Sequence, residues 1–328
     1  MAVVVEIDNI VSAPALIDPA FLNSPLLSAP SLDMVMGCQV LAKIETINPI
    51  GSFKGRGAEY FAATGLRPGE AVVCASAGNF GQGLAWAAAR RSHPCTVFAA
   101  ETANPVKVEA MRRLGATVRL EGADFDAAKQ AARRHAARSG ARFVEDGAEA
   151  AIAEGAGTIA VELARVAGLD AIVVQLGNGA LLAGIGVALR HLAPATEVIA
   201  VVAENAPAMK LSIEAGRAIE TRSANTIADG IAVRVPIAET LSLLKTCCDR
   251  IVAVSESDIF QAMVSLRRHF GIVAEPAGAA GLAAIAAEPD RYRGRRVATI
   301  VCGGNVSPEL RERLEGRSAP EASITRSL

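Results

Sequence analysis

The stretch "AVVCASAGNFGQGLAWAAARR", residues 71–91, decides the fold. Val72 to Ala75 form a short apolar run that gives way to small residues and glycine, the mark of a strand buried on both faces. From Gly78 the apolar residues fall at helical spacing, and the last turn carries Arg90 and Arg91, where the helix dipole favours cations. A strand, a glycine-rich turn and a helix make half of a unit that a second parallel strand must close. The chain supplies that strand in "TVFAAE", then a helix in "NPVKVEAMRRLG", with proline near its start and glycine at its end. "TVRLEG", "DFDAAKQAARRHAARSG" and "RFVED" continue the alternation. This predicts a parallel sheet covered by helices over residues 70–147, a small mobile α/β domain.

A second series follows. "DAIVVQLG", "NGALLAGIGVALRHL" and "EVIAVVAE" read as strand, helix and strand, and "RIVAVS", "ESDIFQAMVSLRRHFG" and "VATIVCGGN" resume the pattern. The early segment "CQVLAKIET" reads as an alternating strand with no neighbour in sequence, and we expect it to join this larger sheet. The fold class is therefore α/β, with two open, mainly parallel-sheet domains and helices on both faces. Residues 1–69 and 148–328 form the large domain. A cleft between two such domains is where small ligands usually bind.

Composition excludes other classes. Hydrophobic residues make up 51% of the 328 and charged residues 20%, too apolar for a disordered chain. The 33 lysines and arginines nearly balance 34 aspartates and glutamates, so no basic field draws in nucleic acid or an anionic membrane. The apolar start "MAVVVEI" is broken at once by Glu6 and Asp8 and is neither a leader nor a span. Six cysteines without paired spacing suit reduced thiols in the cytoplasm. His93, His135, His191 and His269 stand singly, which points away from a histidine metal site. "RYRGRR" at 291–296 reads as a solvated connection.

Two turns and one lysine carry the chemistry. "ASAGNFGQG" (75–83) and "QLGNGALLAG" (175–184) both place backbone N–H groups at a helix start, which binds anions unless the glycines serve only as tight turns. Gly177 and Gly179 with Glu204 imitate a dinucleotide site, but Leu182 stands where its third glycine belongs. Lys54, in "GSFKGRGAEYF", is either a solvated helix residue beside a glycine turn or an amine that a large flat group approaches. An amine with a reference pKa of about 10.4 becomes useful when an aldehyde cofactor attaches to it.

"KIETINPIGSFKGRGA" (43–58) resembles the lysine motif of the fold-type II pyridoxal-phosphate enzymes, the threonine/serine dehydratase and serine racemase group. "SAGNFGQGLA" is similar to that family's asparagine loop and "LGNGALLAGI" to its phosphate loop. "TIADGIAV", "EPAGAAGLAA" and "CGGN" follow in the family's order. The resemblance implies a tryptophan synthase β-like fold whose large domain binds pyridoxal 5'-phosphate. It implies that Lys54 carries the cofactor and moves the substrate's α-proton, and that Phe53 packs beside it. Asn79 would bond the ring's phenolic oxygen, Gly177, Asn178, Gly179, Ala180 and Leu181 would wrap the phosphate, and Cys302 would face the pyridine nitrogen. Ser76, Ala77, Gly78, Asn79 and Phe80 would grip the substrate carboxylate. A neutral thiol cannot keep the ring nitrogen protonated, so the implied reaction is loss of a β-hydroxyl, giving ammonia and a 2-oxo acid.

Departures from the family sharpen this. Ala77 stands where racemases carry a serine acid, so racemisation should be weak. Phe80 replaces a common histidine, which points to an apolar or bulkier β-substituent. Asn178 and Ala180 replace glycines. Some relatives bind a divalent cation; here Glu204 and Ala208 match, but Lys210 takes the aspartate's place and is expected to pair with Glu204 instead of a metal. The alternatives are β-replacement or racemisation with the same cofactor, a non-catalytic binding protein of the same fold, and a nicotinamide oxidoreductase. The family's habit is a homodimer or homotetramer.

Overall fold

The structure, a computed structural model, describes residues 3–316. Among them run the strands β1 (Leu26–Leu27), β2 (Gln39–Ile44), β3 (Val72–Ala75), β4 (Cys95–Ala99), β5 (Thr117–Leu120), β6 (Arg142–Phe143), β7 (Ala171–Gln175), β8 (Glu197–Ala203), β9 (Arg250–Val254) and β10 (Arg296–Val301). They form two sheets, in the orders β1-β2-β10-β7-β8-β9 and β5-β4-β3-β6. Every pairing is parallel except the short β1 on β2. Parallel pairing needs a crossover, and helices supply most of them, covering both faces.

The large sheet sorts its residues by the two-residue period of a strand. Ile172 and Val174 join one core with Ala156, Ile185 and Leu189 of the helices Ala150–Leu163 and Ala180–Leu192. Ala171 and Val173 join the other with Ala280, Leu282 and Met263, from Pro276–Ala287 and Glu256–Phe270. Pro276–Ala287 is buried from Pro276 to Ile285, as its apolar composition on every side requires.

β2 joins this sheet as expected, but it does not alternate: Val40 to Ile44 are all buried. The reason is its place between β1 and β10 under helices on both faces. Lys43 is tolerated there because its ammonium donates to Ser24 O at 2.6 Å and pairs with Glu162.

The glycines after Lys54 make no turn. They lie inside the helix Lys54–Thr64. A Cβ on Gly55 would fall 2.1 Å from the Phe21 ring, and one on Gly57 would fall 2.4 Å from Ile152 O. They let this helix press onto its neighbours and fix where its first residue, Lys54, stands.

The segment "RYRGRR" is no solvated connection either. Tyr292 is fully buried, and Arg291 and Arg295 both pair with Glu197. All six cysteines are free thiols. No helix among the described residues is long and apolar enough to cross a membrane.

Candidate active site

Four chain segments converge on Lys54. The approach begins at Asn48, whose side-chain carbonyl accepts from Ile50 N and Ser52 N while its amide donates to Glu45 O and Ser52 O. This closes a loop that needs Gly51 at φ 64°, the left-handed region glycine favours. Phe53 N then donates to Cys302 O at 3.0 Å, and Gly304 N to Gly51 O at 2.9 Å. The loop is thereby tied to the end of β10, and Lys54 emerges at the start of its helix beside Cys302. Burial pushes the Cys302 thiol far above its usual range, and the charge of Glu275 adds to this, so the thiol stays neutral.

The second segment is the turn after β3. Ser76 is buried, and its hydroxyl accepts from Gly78 N (3.2 Å) and Gly81 N (2.9 Å), which folds the loop back on itself. Ala77 is exposed at the tip. Asn79 begins the next helix, and Phe80 is buried with its ring centroid 5.9 Å from Lys54 Nζ.

The Asn79 amide is held on both sides. Its Nδ2 donates to Glu275 Oε1 at 2.6 Å, and its Oδ1 accepts from Asn305 Nδ2 at 2.7 Å. One N–H of Nδ2 is left for a ligand. Glu275 lies in a quoted motif, yet the sequence reading gave it no role. Its carboxyl is buried, Oε2 has no partner, and burial followed by the charge of Asp229 lifts its pKa to about 7. Nothing in a single sequence separates such an acid from a solvated one.

The third segment is the turn after β7. Gly179 takes φ 101° and opens the helix Ala180–Leu192. The first N–H groups of that helix have no intrahelical acceptor, so they face outward as an anion cradle. A Cβ on Gly177 would stand 3.0 Å from Gly230 O, which is why glycine serves there. Leu181 and Leu182 are buried beneath the turn, so Leu182 is a packing residue.

The fourth segment was missed altogether. Asp146, just after β6, pairs through Oδ2 with Lys54 Nζ. The adjoining Gly147 lies against the phosphate-loop residue Asn178, where a Cβ would stand 2.3 Å from Asn178 O. Lys54 and the N–H turn are therefore neighbours across one cleft.

These residues fit a phosphorylated aldehyde. An amine stands at one end, unpaired N–H groups at the other, a fixed amide donor at the side, and a neutral thiol beneath. The expected stand-in for a cation is different: Lys210 pairs with Glu214 one turn on, at 2.5 Å, and not with Glu204. Four residues is the spacing at which helical side chains meet, so the local partner wins. A cavity of about 610 Å³ between Lys129, Arg133 and residues 235–239 contains none of the cluster around Lys54.

The chain is similar to proteins of known function. The chain is 38% identical to an L-threonine ammonia-lyase of Thermotoga maritima, over 86% of its own length and 71% of that protein's. It is 32% identical to a beta-hydroxyaspartate dehydratase of Paracoccus denitrificans, over 91% and 96%. Among solved structures, the processed form of threonine deaminase isoform 2 from Solanum lycopersicum superposes with a TM-score of 0.88 at 27% identity, covering 95% of this chain and 87% of that one. The sequence pattern of the pyridoxal-phosphate dependent enzymes matches residues 17–303, and the chain belongs to that family.

Proposed function

We propose that this chain is a pyridoxal-phosphate-dependent ammonia-lyase that takes a β-hydroxy-α-amino acid to a 2-oxo acid and ammonia. The observation that carries the reading is Lys54 at the start of its helix, joined through Asp146 and Gly147 to the N–H turn at Gly177–Leu181. In this reading Lys54 holds the cofactor's aldehyde, Phe53 packs beside it, and the backbone N–H groups of Gly177, Asn178, Gly179, Ala180 and Leu181 hold the phosphate. Asn79 gives its remaining N–H to the ring's phenolic oxygen. The backbone from Ser76 to Phe80 receives the substrate carboxylate.

The bound cofactor supplies an electron-withdrawing ring that acidifies the substrate's α C–H bond. Lys54, displaced by the substrate's amine, takes the α-proton. Cys302 would face the ring nitrogen and, as a neutral thiol, would give it no proton. Negative charge at the α-carbon is then poorly held, which favours immediate loss of the β-hydroxyl over return of a proton. Ala77 offers no acid from the other side. Phe80 makes the side-chain pocket apolar, so we place a methyl or larger apolar β-substituent first among substrates.

The segment 70–147 is read as the mobile small domain. Lys107–Asp229 and Arg234–Asp126 pairs reach from its helices to the residues after β8 and would part when it opens. Met34 and Val35 are exposed side by side (81% and 71%), which supports a homodimer or homotetramer. Free thiols suit the cytoplasm.

The test is the near-visible absorption of the purified protein with pyridoxal phosphate, followed by ammonia release from threonine, serine and an aryl-substituted analogue. Lys54→Ala should abolish the lysine–cofactor band and lower turnover by at least roughly 10⁴-fold, with an unchanged far-ultraviolet spectrum. Full turnover in that variant would refute the assignment.

A further inference from the structure

We propose that Asp146 is a catalytic residue whose carboxylate pairs with Lys54 as the lysine takes the substrate's α-proton. This rests on the reading of Lys54 as cofactor lysine and base. The pair is largely enclosed, with 14% of the Lys54 side chain and 13% of the Asp146 side chain exposed. The other groups facing Nζ are the rings of Phe53, at 4.7 Å, and Phe80, at 5.9 Å, which stabilise a cation only weakly.

Asp146 is not a surface charge that happens to reach inward. Its Oδ1 is buried without a partner. The neighbouring Glu145 takes both nearby cations, Lys129 and Arg133, and leaves Asp146 to Lys54. Gly147, at φ 93°, presses against the backbone of Asn178, where no side chain fits, and this close approach sets Asp146 beside Lys54.

The chemistry follows from where charge appears. In the step, the substrate's Cα–H bond breaks and an Nζ–H bond forms on the neutral amine of Lys54. The electron pair left on Cα becomes the Cα=Cβ bond as the Cβ–O bond breaks and its own pair leaves with the β-hydroxyl. Positive charge therefore develops on Nζ during the step and is absent before it. A carboxylate already in place stabilises the transition state more than the ground state, which is what accelerates a reaction. The same pair occupies Lys54 Nζ in the cofactor-free protein and so competes with attachment of the aldehyde.

The experiment compares the wild-type holoprotein with Asp146→Asn and Asp146→Glu, using the amino acid found to release ammonia, with hydrogen or deuterium at Cα. Asp146→Asn is nearly isosteric and should keep the lysine–cofactor band, which should form at least as fast when pyridoxal phosphate is added to cofactor-free protein. Its kcat should fall about 10²-fold with KM little changed, and the α-deuterium isotope effect should rise as proton transfer becomes limiting. Asp146→Glu should recover much of the loss. Wild-type kcat and isotope effect in Asp146→Asn would overturn the proposal. So would loss of the band together with activity, which would make Asp146 a holder of the cofactor. A wild-type protein that never forms the band would sink the reading of Lys54 and the proposal with it.

Discussion

Beneath the helix that carries Lys54, Glu45 and Glu162 are packed around Arg56 and Lys43; across the cleft, Glu275 is buried with no cation in contact among the described residues. The first cluster is balanced. Arg56 is fully buried and presents its fork to Glu45 at 2.8 and 2.9 Å, to Glu162 at 2.6 Å and to Thr158 at 3.0 Å. Burial pushes the Glu162 carboxyl up, but the hydrogen bonds and charges of Arg56 and Lys43 outweigh it and hold the pKa below its usual value. The second cluster has only amides for partners and one bare oxygen. The contrast teaches that the same residue type does two jobs here. Glu45 and Glu162 fix the base of the lysine helix by pairing with buried cations, whereas Glu275 holds Asn79 and changes charge near neutrality.

Arg56→Ala should produce the largest effect on stability. It would leave Glu45 and Glu162 buried without their shared cation, which costs about 3–5 kcal/mol. A denaturant titration of the cofactor-free protein should register the loss at every pH between 5 and 8. A loss below about 1 kcal/mol would mean the cluster behaves as a surface ion pair and the contrast with Glu275 is false.

Little of this contrast was legible in the sequence. The strands, the helices and the two turns were, because each is a local pattern of glycine and apolar spacing. The roles of Lys54, Asn79 and the Gly177–Leu181 turn came instead from the family resemblance, and Lys54 lies beside that turn through Asp146 and Gly147. The acids were not legible. Arg56 meets Glu162 across 106 residues, Lys54 meets Asp146 across 92, and Asn79 meets Glu275 across 196. Each acid alone looks like an ordinary solvated charge. Lys43 hid for the opposite reason: its strand was read as alternating, whereas Val40 to Ile44 are all buried. Lys210 was matched to Glu204 by family position when its own helix offered Glu214.

Glu275→Gln should produce a smaller, pH-dependent effect. A carboxyl with a folded pKa of about 7 binds a proton more tightly folded than unfolded. Stability from this group is therefore greatest at low pH, declines as pH rises from the ordinary glutamate range through 7, and is level above that. A glutamine is neutral throughout. The variant should match the wild type near pH 5 and exceed it near pH 8, by up to about 3 kcal/mol. Thermal melts of both proteins across that range, without cofactor, read the difference. A difference independent of pH would show that Glu275 does not change charge in this range, and the contrast with the first cluster would fail.

The smallest effect is expected at the tip of the asparagine loop. Ser76 has a hydroxyl, but it is buried and its oxygen accepts from Gly78 N and Gly81 N, which fixes it inside the turn and away from the exposed tip. Ala77 is exposed and packs on nothing that a single oxygen would disturb. Ala77→Ser would therefore place a hydroxyl at the exposed tip without altering the Glu275–Asn79–Asn305 chain behind it. Stability should change by less than about 0.5 kcal/mol. If the missing acid is what suppresses racemisation, the ratio of racemised amino acid to released ammonia should rise severalfold, as read by chiral chromatography beside an ammonia assay. The outcome separates two causes. A raised ratio assigns the bias against racemisation to Ala77. An unchanged ratio leaves it with Cys302, whose thiol, raised far beyond its usual range by burial, lends the ring nitrogen no proton whatever stands at position 77.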